Sequence, residues 1–478
     1  MRISKSTLFK ILVCVLIIAD IDFSYRQHEH KPLDGDLAAI IAPSKNYTTV
    51  LQEPFGFKAA FKQEKYSATN RFFSHAAMIF YYKNVYNIFS PLAKNKAKFI
   101  YVFTGIYQTI IQLLIVLLLS IYALRKIKWN KLSFLLMFLF LSAFMQTHGY
   151  YTSIGVIDQS ISYTFFYAMP IAFLMIYFLP FLICRIENRS IFFSFVFFIV
   201  WSTFALVLSL TGSLISPIGV LISISIILSL FVKEYRIQSS SINNKNDFIT
   251  RLKNLPFLTV SCLSIFILFC LYSQYVGTFN SENGEPTLLS FRYGKLIMRL
   301  KTYFTKDISF LLIVAVLAVN LFSLKNTNKQ INREVKIISF LSVFYIFLLP
   351  LGGYRPYRPD IIRYDTFMPI TIALLYLVGR STFLASEIIQ RKKLYYSFLT
   401  VIFAIFMYAD KPQFNDNDCQ YERMIELKNS KELITVFDNK CNLLTWSPLN
   451  DTAWTSQVSQ MCYYWQITDK IKPFIINN

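Results

Sequence analysis

Glycine is scarce in this chain, at 13 of 478 residues, and none of it builds a loop that cradles phosphate. There is no Gly-x-x-x-x-Gly-Lys-Ser/Thr and no Gly-x-Gly-x-x-Gly, so nucleotide chemistry through either motif is excluded. The Gly-x-Ser-x-Gly elbow of the α/β-hydrolases is missing as well. Histidine occurs four times and cysteine seven, at spacings that fit no zinc pattern. Charged residues make up 16% of the chain, thin cover for two or three soluble domains. No stretch repeats another, so the internal symmetry that marks many transporters is lacking.

Apolar residues fill the space, at 55% of the chain, and the mean hydropathy is +0.44. Runs of membrane-spanning length recur at roughly 7–23, 99–124, 132–148, 161–184, 191–212, 216–232, 256–276, 308–324, 336–352, 366–383 and 395–409. The expected fold is an all-α polytopic membrane protein with about 11 transmembrane helices. The first span (1–23) lacks a small-x-small cleavage site before Asp20 and Asp22, so it reads as a retained anchor. A long first extracytoplasmic loop (24–98) follows, then the helical bundle (99–409) and a small extracytoplasmic α/β domain (410–478). The formal charge of +21 invites a nucleic-acid reading, but its placement argues for orientation instead. With the N-terminus cytoplasmic, the inner ends and loops hold 22 of the 48 basic residues and 5 of the 27 acidic ones, leaving 26 against 22 elsewhere. That is the positive-inside rule, and the partner it implies is a lipid bilayer.

Long structureless insertions tend to be functional or disordered. The 24–98 loop holds His28, His30 and His75 and the tripeptide Asp34-Gly35-Asp36. Residues 66–89 place Phe72, Phe73, Met78, Ile79, Tyr82, Val85, Tyr86 and Phe89 near helical spacing, interrupted by Arg71, His75 and Lys83. They read as interfacial helix ending at Pro91. In the tail, 433–437 has strand character, and two of Cys419, Cys441 and Cys462 can pair.

Asp34 and Asp36 flank a flexible glycine and in an extended or turn conformation can converge on one point. A general base needs that arrangement, and a divalent cation could share it. The plain alternative is a turn. Tyr354-Arg355-Pro356-Tyr357-Arg358-Pro359 doubles a triplet. Each proline pushes its preceding arginine toward extended backbone, and the three-residue period of polyproline II would put Arg355 and Arg358 on one face. Arginine's planar fork suits phosphate oxygens, and Arg363 lies near enough to join. The plain alternative is anchoring at the headgroups. His75, Arg71 and His148 are further substrate-binding candidates, although a lone histidine is more often structural.

A first span, an acidic pair in a long outer loop, about eleven helices and an outer C-terminal domain together resemble the GT-C superfamily of membrane glycosyltransferases. As motif the resemblance rests on Asp34-Gly35-Asp36 alone, without the Trp-Trp-Asp signature of oligosaccharyltransferases. It implies a polyprenyl-phosphate-linked sugar as donor and a lipid or surface glycan as acceptor. Catalysis would fall to Asp34 or Asp36, and donor phosphate binding to Arg355, Arg358 and Arg363. The implied location is a multi-pass position in a bacterial inner (plasma) membrane with the C-terminus extracytoplasmic. Two other classes stay open: a polymerase of lipid-linked polysaccharide, and a transporter or lipid flippase without catalysis.

Overall fold

The computed structural model describes residues 4–125, 130–145, 156–186, 195–239, 256–284, 287–447 and 451–476. His148, Lys126, Ile127, Lys128 and most of the 233–255 loop lie outside them. The fold is mostly helical, and each of the eleven apolar runs holds a helix among its described residues. Among the described residues, six helices are long and apolar enough to cross a membrane: Lys96–Leu124, Ile161–Cys184, Ile215–Val232, Phe257–Gly277, Lys329–Gly352 and Tyr364–Ile388. A seventh is reached if Leu289–Lys306 and Ile308–Leu324, bent by 71°, count as one span. The expected eleven are not reached on these criteria. Leu132–Met145 and Phe195–Ser209 are too short.

Lys96–Leu124 is the central helix, packed by the first helix (Lys5–Glu29), by Leu132–Ser142, by Met169–Ile186 and by Tyr364–Ile388. Gly105 permits the close approach of the first helix. A Cβ there would stand 2.8 Å from the backbone nitrogen of Glu29. Lipid tails are as apolar as leucine, so helices in a bilayer are held by packing and interhelical hydrogen bonds more than by water exclusion. Both occur here. Gln112 donates to Ser24 Oγ at 3.0 Å and bonds His28 at 2.9 Å, and Asn320 joins Ser381, Thr382 and Tyr395.

The loop after the first span is not irregular. The first helix continues to Glu29, and short helices follow at Gly35–Ile41, Lys45–Gln52, Phe57–Lys62 and Phe72–Ile79. The last of these widens to a π-turn over Phe80–Val85, resumes at Tyr86–Phe89 and closes in a 3₁₀ turn holding Pro91. Its Met78, Tyr82 and Tyr86 are buried, while Phe80, Ile88 and Phe89 face outward. Residues 66–70 are not helical. They are pinned to the end of Phe257–Gly277 and the chain just beyond it: Tyr66 bridges Asn280, Thr69 Oγ1 donates to the Val276 carbonyl, and Asn70 Nδ2 to that of Ser273.

The tail forms helices Asp418–Asn429 and Thr452–Tyr464 and a parallel pair of strands, Thr435–Phe437 and Phe474–Ile476. It packs on the first loop through a buried polar clasp. Lys31, 1% exposed, donates to Asp416 and Gln413, each at 2.7 Å. Gln420 exchanges two hydrogen bonds with the Leu33 backbone. Cys419 pairs with Cys441, leaving Cys462 buried and free.

Candidate functional site

Asp34 has extended backbone (φ −85°, ψ 166°) and caps helix Gly35–Ile41. Oδ1 accepts from the N–H groups of Asp36 (3.0 Å) and Leu37 (3.1 Å) and from Ser162 Oγ (2.7 Å). Oδ2 accepts from Ser160 Oγ (2.6 Å) and the Ser162 N–H (2.9 Å). Five donors occupy a carboxylate that is 6% exposed. This group ties the helix start to the entry of Ile161–Tyr163, and its lone pairs are spent on structure. The two aspartates therefore do not offer a shared cation site. Among the described residues no cluster of three or more His, Cys, Asp or Glu could hold a metal.

Asp36, the second residue of that helix, is only partly buried and faces the tail. Trp446 Nε1–H donates to its Oδ1 at 2.9 Å. Gly35 is what lets the tail come this close. A Cβ there would fall 2.7 Å from both the backbone nitrogen and Cδ1 of Trp446. Burial first, then the neighbouring Asp34 charge, push the Asp36 carboxyl up to about 6, against the Trp446 hydrogen bond and the attraction of Arg358. The Trp446 ring lies 6.1 Å from that of Tyr163. Arg358 stacks over Tyr163 at 5.2 Å, donates to its hydroxyl, and lies 5.7 Å from the Tyr357 ring. Asp36 and Arg358 thus meet across two aromatic side chains on an open shelf, where Trp446 is 55% and Tyr357 63% exposed.

The arginine segment is a tight turn and not the extended polyproline run expected. The Arg358 N–H donates to the Arg355 carbonyl at 2.9 Å. Proline presets φ for the first corner of such a turn, and Pro356 sits there. The two guanidinium groups part company as a result. Arg355 pairs with Glu282 at 2.7 Å. Arg363 is taken by Asp365, Nε to Oδ1 at 3.0 Å and Nη2 to Oδ2 at 3.1 Å. Arg358 has no carboxylate hydrogen bond among the described residues. Arg71 stands over the Phe166 ring at 5.6 Å, within electrostatic reach of Glu282, Tyr47 and Arg358. Burial works to raise the Glu282 carboxyl, but Arg71 and Arg355 outweigh it and hold the group below its ordinary value. Of the Arg355, Arg358 and Arg363 set expected, Arg358 alone is without a carboxylate hydrogen bond among the described residues, while Arg71 shares Glu282 electrostatically with Arg355.

His75 is 1% exposed, between the rings of Tyr47 (5.4 Å) and Phe166 (5.0 Å), with Nδ1 bonded to the Arg71 carbonyl. Burial drives its pKa down to about 4, so it is neutral, and its Nε2 is buried without a hydrogen-bond partner among the described residues. Sequence reasoning missed Glu282, Tyr163 and the role of Trp446. Nothing local marks them, except that Glu282, with Glu285, is one of two acids at the start of a segment whose later charges are basic up to Asp307. Asp158 was also passed over. Burial raises its carboxyl to about 6, opposed by hydrogen bonds from Tyr364 and the Ser160 N–H.

Comparisons with known protein families, with curated proteins and with solved structures find no match to this chain.

Proposed function

We propose that the protein is an integral membrane glycosyltransferase of GT-C type. It would move a sugar from a polyprenyl-phosphate donor to a lipid or surface-glycan acceptor on the extracytoplasmic side. The observation that carries this reading is the juxtaposition of Asp36 and Arg358 across Trp446 and Tyr163. An acid with a raised pKa and a guanidinium without a carboxylate partner come from distant parts of the chain to one shelf beside exposed aromatic side chains.

In the proposed reaction Asp36 takes the proton of the acceptor hydroxyl. The acceptor oxygen bonds to the anomeric carbon as the bond from that carbon to the phosphate oxygen breaks. The electron pair leaves on the polyprenyl phosphate, where Arg358 and Arg71 meet the developing charge. A single displacement of this kind inverts the anomeric configuration. Trp446 and Tyr163 hold the base and the cation in register, and Trp446 offers a flat exposed face to a sugar ring. No step requires a metal between the aspartates.

Incubating the purified protein in nanodiscs with a panel of polyprenyl-phosphate sugars and glycolipid acceptors tests this reading. Release of polyprenyl phosphate coupled to a glycosylated product of inverted configuration is expected. Full activity in Asp36→Asn would overturn it.

A further inference from the structure

The segment 277–307 carries cations that the catalytic reading leaves unused. Helix Leu289–Lys306 contains no acidic residue and holds Arg292, Lys295, Arg299, Lys301 and Lys306. Leu296 (2% exposed) and Tyr303 (1%) pack with Ile361, Ile362 and Phe367 from the arginine turn and the helix after it. Arg299 lies 3.9 Å from Asp360 and stacks over Tyr303, while Arg292 is held by Thr287 and the Pro350 carbonyl. Next to that covered edge the same apolar sector continues uncovered through Leu289, Ile297 and Phe304, which are 46%, 66% and 58% exposed. Lys301 and Lys306 are exposed, and Lys295 lies over the Phe291 ring. None of these three lysines has a carboxylate partner among the described residues. At Asp307 the chain turns by 71° into the apolar helix Ile308–Leu324.

We propose that Leu289–Lys306 is a membrane-surface helix whose occupant is the headgroup layer of an anionic phospholipid leaflet. If Ile308–Leu324 stands upright in a bilayer, the bend lays the preceding helix nearly in the plane of the interface. There Leu289, Ile297 and Phe304 enter the upper acyl region, and the three lysines reach phosphate oxygens. Charge complementarity selects anionic over zwitterionic lipid. The covered edge is the base of the turn bearing Arg355 and Arg358, so the lipid seat also steadies that turn. The inference stands whatever reaction the Asp36 site performs.

The test uses the full-length protein in nanodiscs containing phosphatidylcholine and phosphatidylglycerol. Ile297→Trp should be quenched by lipids brominated near the headgroup end of the acyl chain, more than the wild type is, and little by aqueous iodide. Phe304→Trp provides the same reading if the first variant folds poorly. Lys295→Gln, Lys301→Gln and Lys306→Gln combined should lower the enrichment of phosphatidylglycerol among co-purified lipids by at least about fivefold, the equivalent of one surface lysine. Quenching by iodide but not by bromolipid would overturn the proposal. So would shielding from both together with cross-linking to a second copy, since a protein would then cover the edge.

Discussion

The corner at Asp34-Gly35-Asp36 and the turn at Arg355-Pro356-Tyr357-Arg358 each repeat a charged residue, and in each the fold treats the two copies differently. Asp34 is filled by five donors, whereas Asp36 meets one indole N–H and keeps capacity to accept. Arg355 is neutralised by Glu282, whereas Arg358 rests on Tyr163. A doubled charge in sequence thus divides into a member filled by the fold and a member whose hydrogen-bonding capacity stays largely open. What decides is the supply of partners: serine hydroxyls and backbone N–H groups at a helix start, and a single glutamate on a neighbouring loop.

Substitution can break this contrast, and the aspartates give the largest effect. Asp36→Asn should leave the fold intact and lower turnover by about a thousandfold, the usual scale for losing a general base. Asp34→Ala should act on stability instead, costing about 3 kcal/mol because the cap is lost and buried donors are left unpaired, as read by thermal unfolding in detergent. Equal effects on rate from the two would erase the distinction. The arginines come next. Arg358→Gln should slow transfer by about a hundredfold through lost stabilisation of the leaving phosphate. Arg355→Gln should leave Glu282 half-buried without its partner and lower yield more than rate.

A smaller effect concerns pH. Asp36 accepts a proton only when ionised, so kcat/KM should fall about tenfold per pH unit below about 6 and level off above it. The indole hydrogen bond favours the ionised form, so Trp446→Phe should move that limb to higher pH, with a rate loss of only a few-fold at pH 8. The smallest effect concerns the staple behind Trp446. Cys419→Ser frees the loop from Cys441 to Trp446, loosens the indole hydrogen bond and should produce the same upward limb shift in part, while Cys462→Ser changes nothing measurable.

The helical frame was legible because apolar runs of spanning length have few other solutions, and each run holds a helix among its described residues. Even so, only six meet the criteria for crossing a membrane among the described residues. The first loop was misread for a physical reason. Asp34 and Asn95 cap helices through their side chains and Ser44 stands at a helix start, yet the same residue types also make turns, and only the chain's packing selects between the two. Asp36 and Arg358 were legible as candidates, but their separation from Asp34 and Arg355 was not. It depends on Ser160, Ser162 and Glu282, which approach from other segments. Trp446 was hidden for the same reason. Its only local trace is Gly35, whose missing side chain admits the tail.

The central claim is that Asp36, and not Asp34, is the proton acceptor of a sugar transfer. Deleting the protein from its cell and restoring it with Asp36→Asn or with Asp34→Asn at matched expression tests that claim most directly, by comparison of surface glycans and glycolipids. The account predicts that deletion removes a glycan or glycolipid species, that Asp34→Asn restores it in proportion to the folded protein present, and that Asp36→Asn does not restore it. Restoration by Asp36→Asn, or an unchanged glycan profile on deletion, would contradict it.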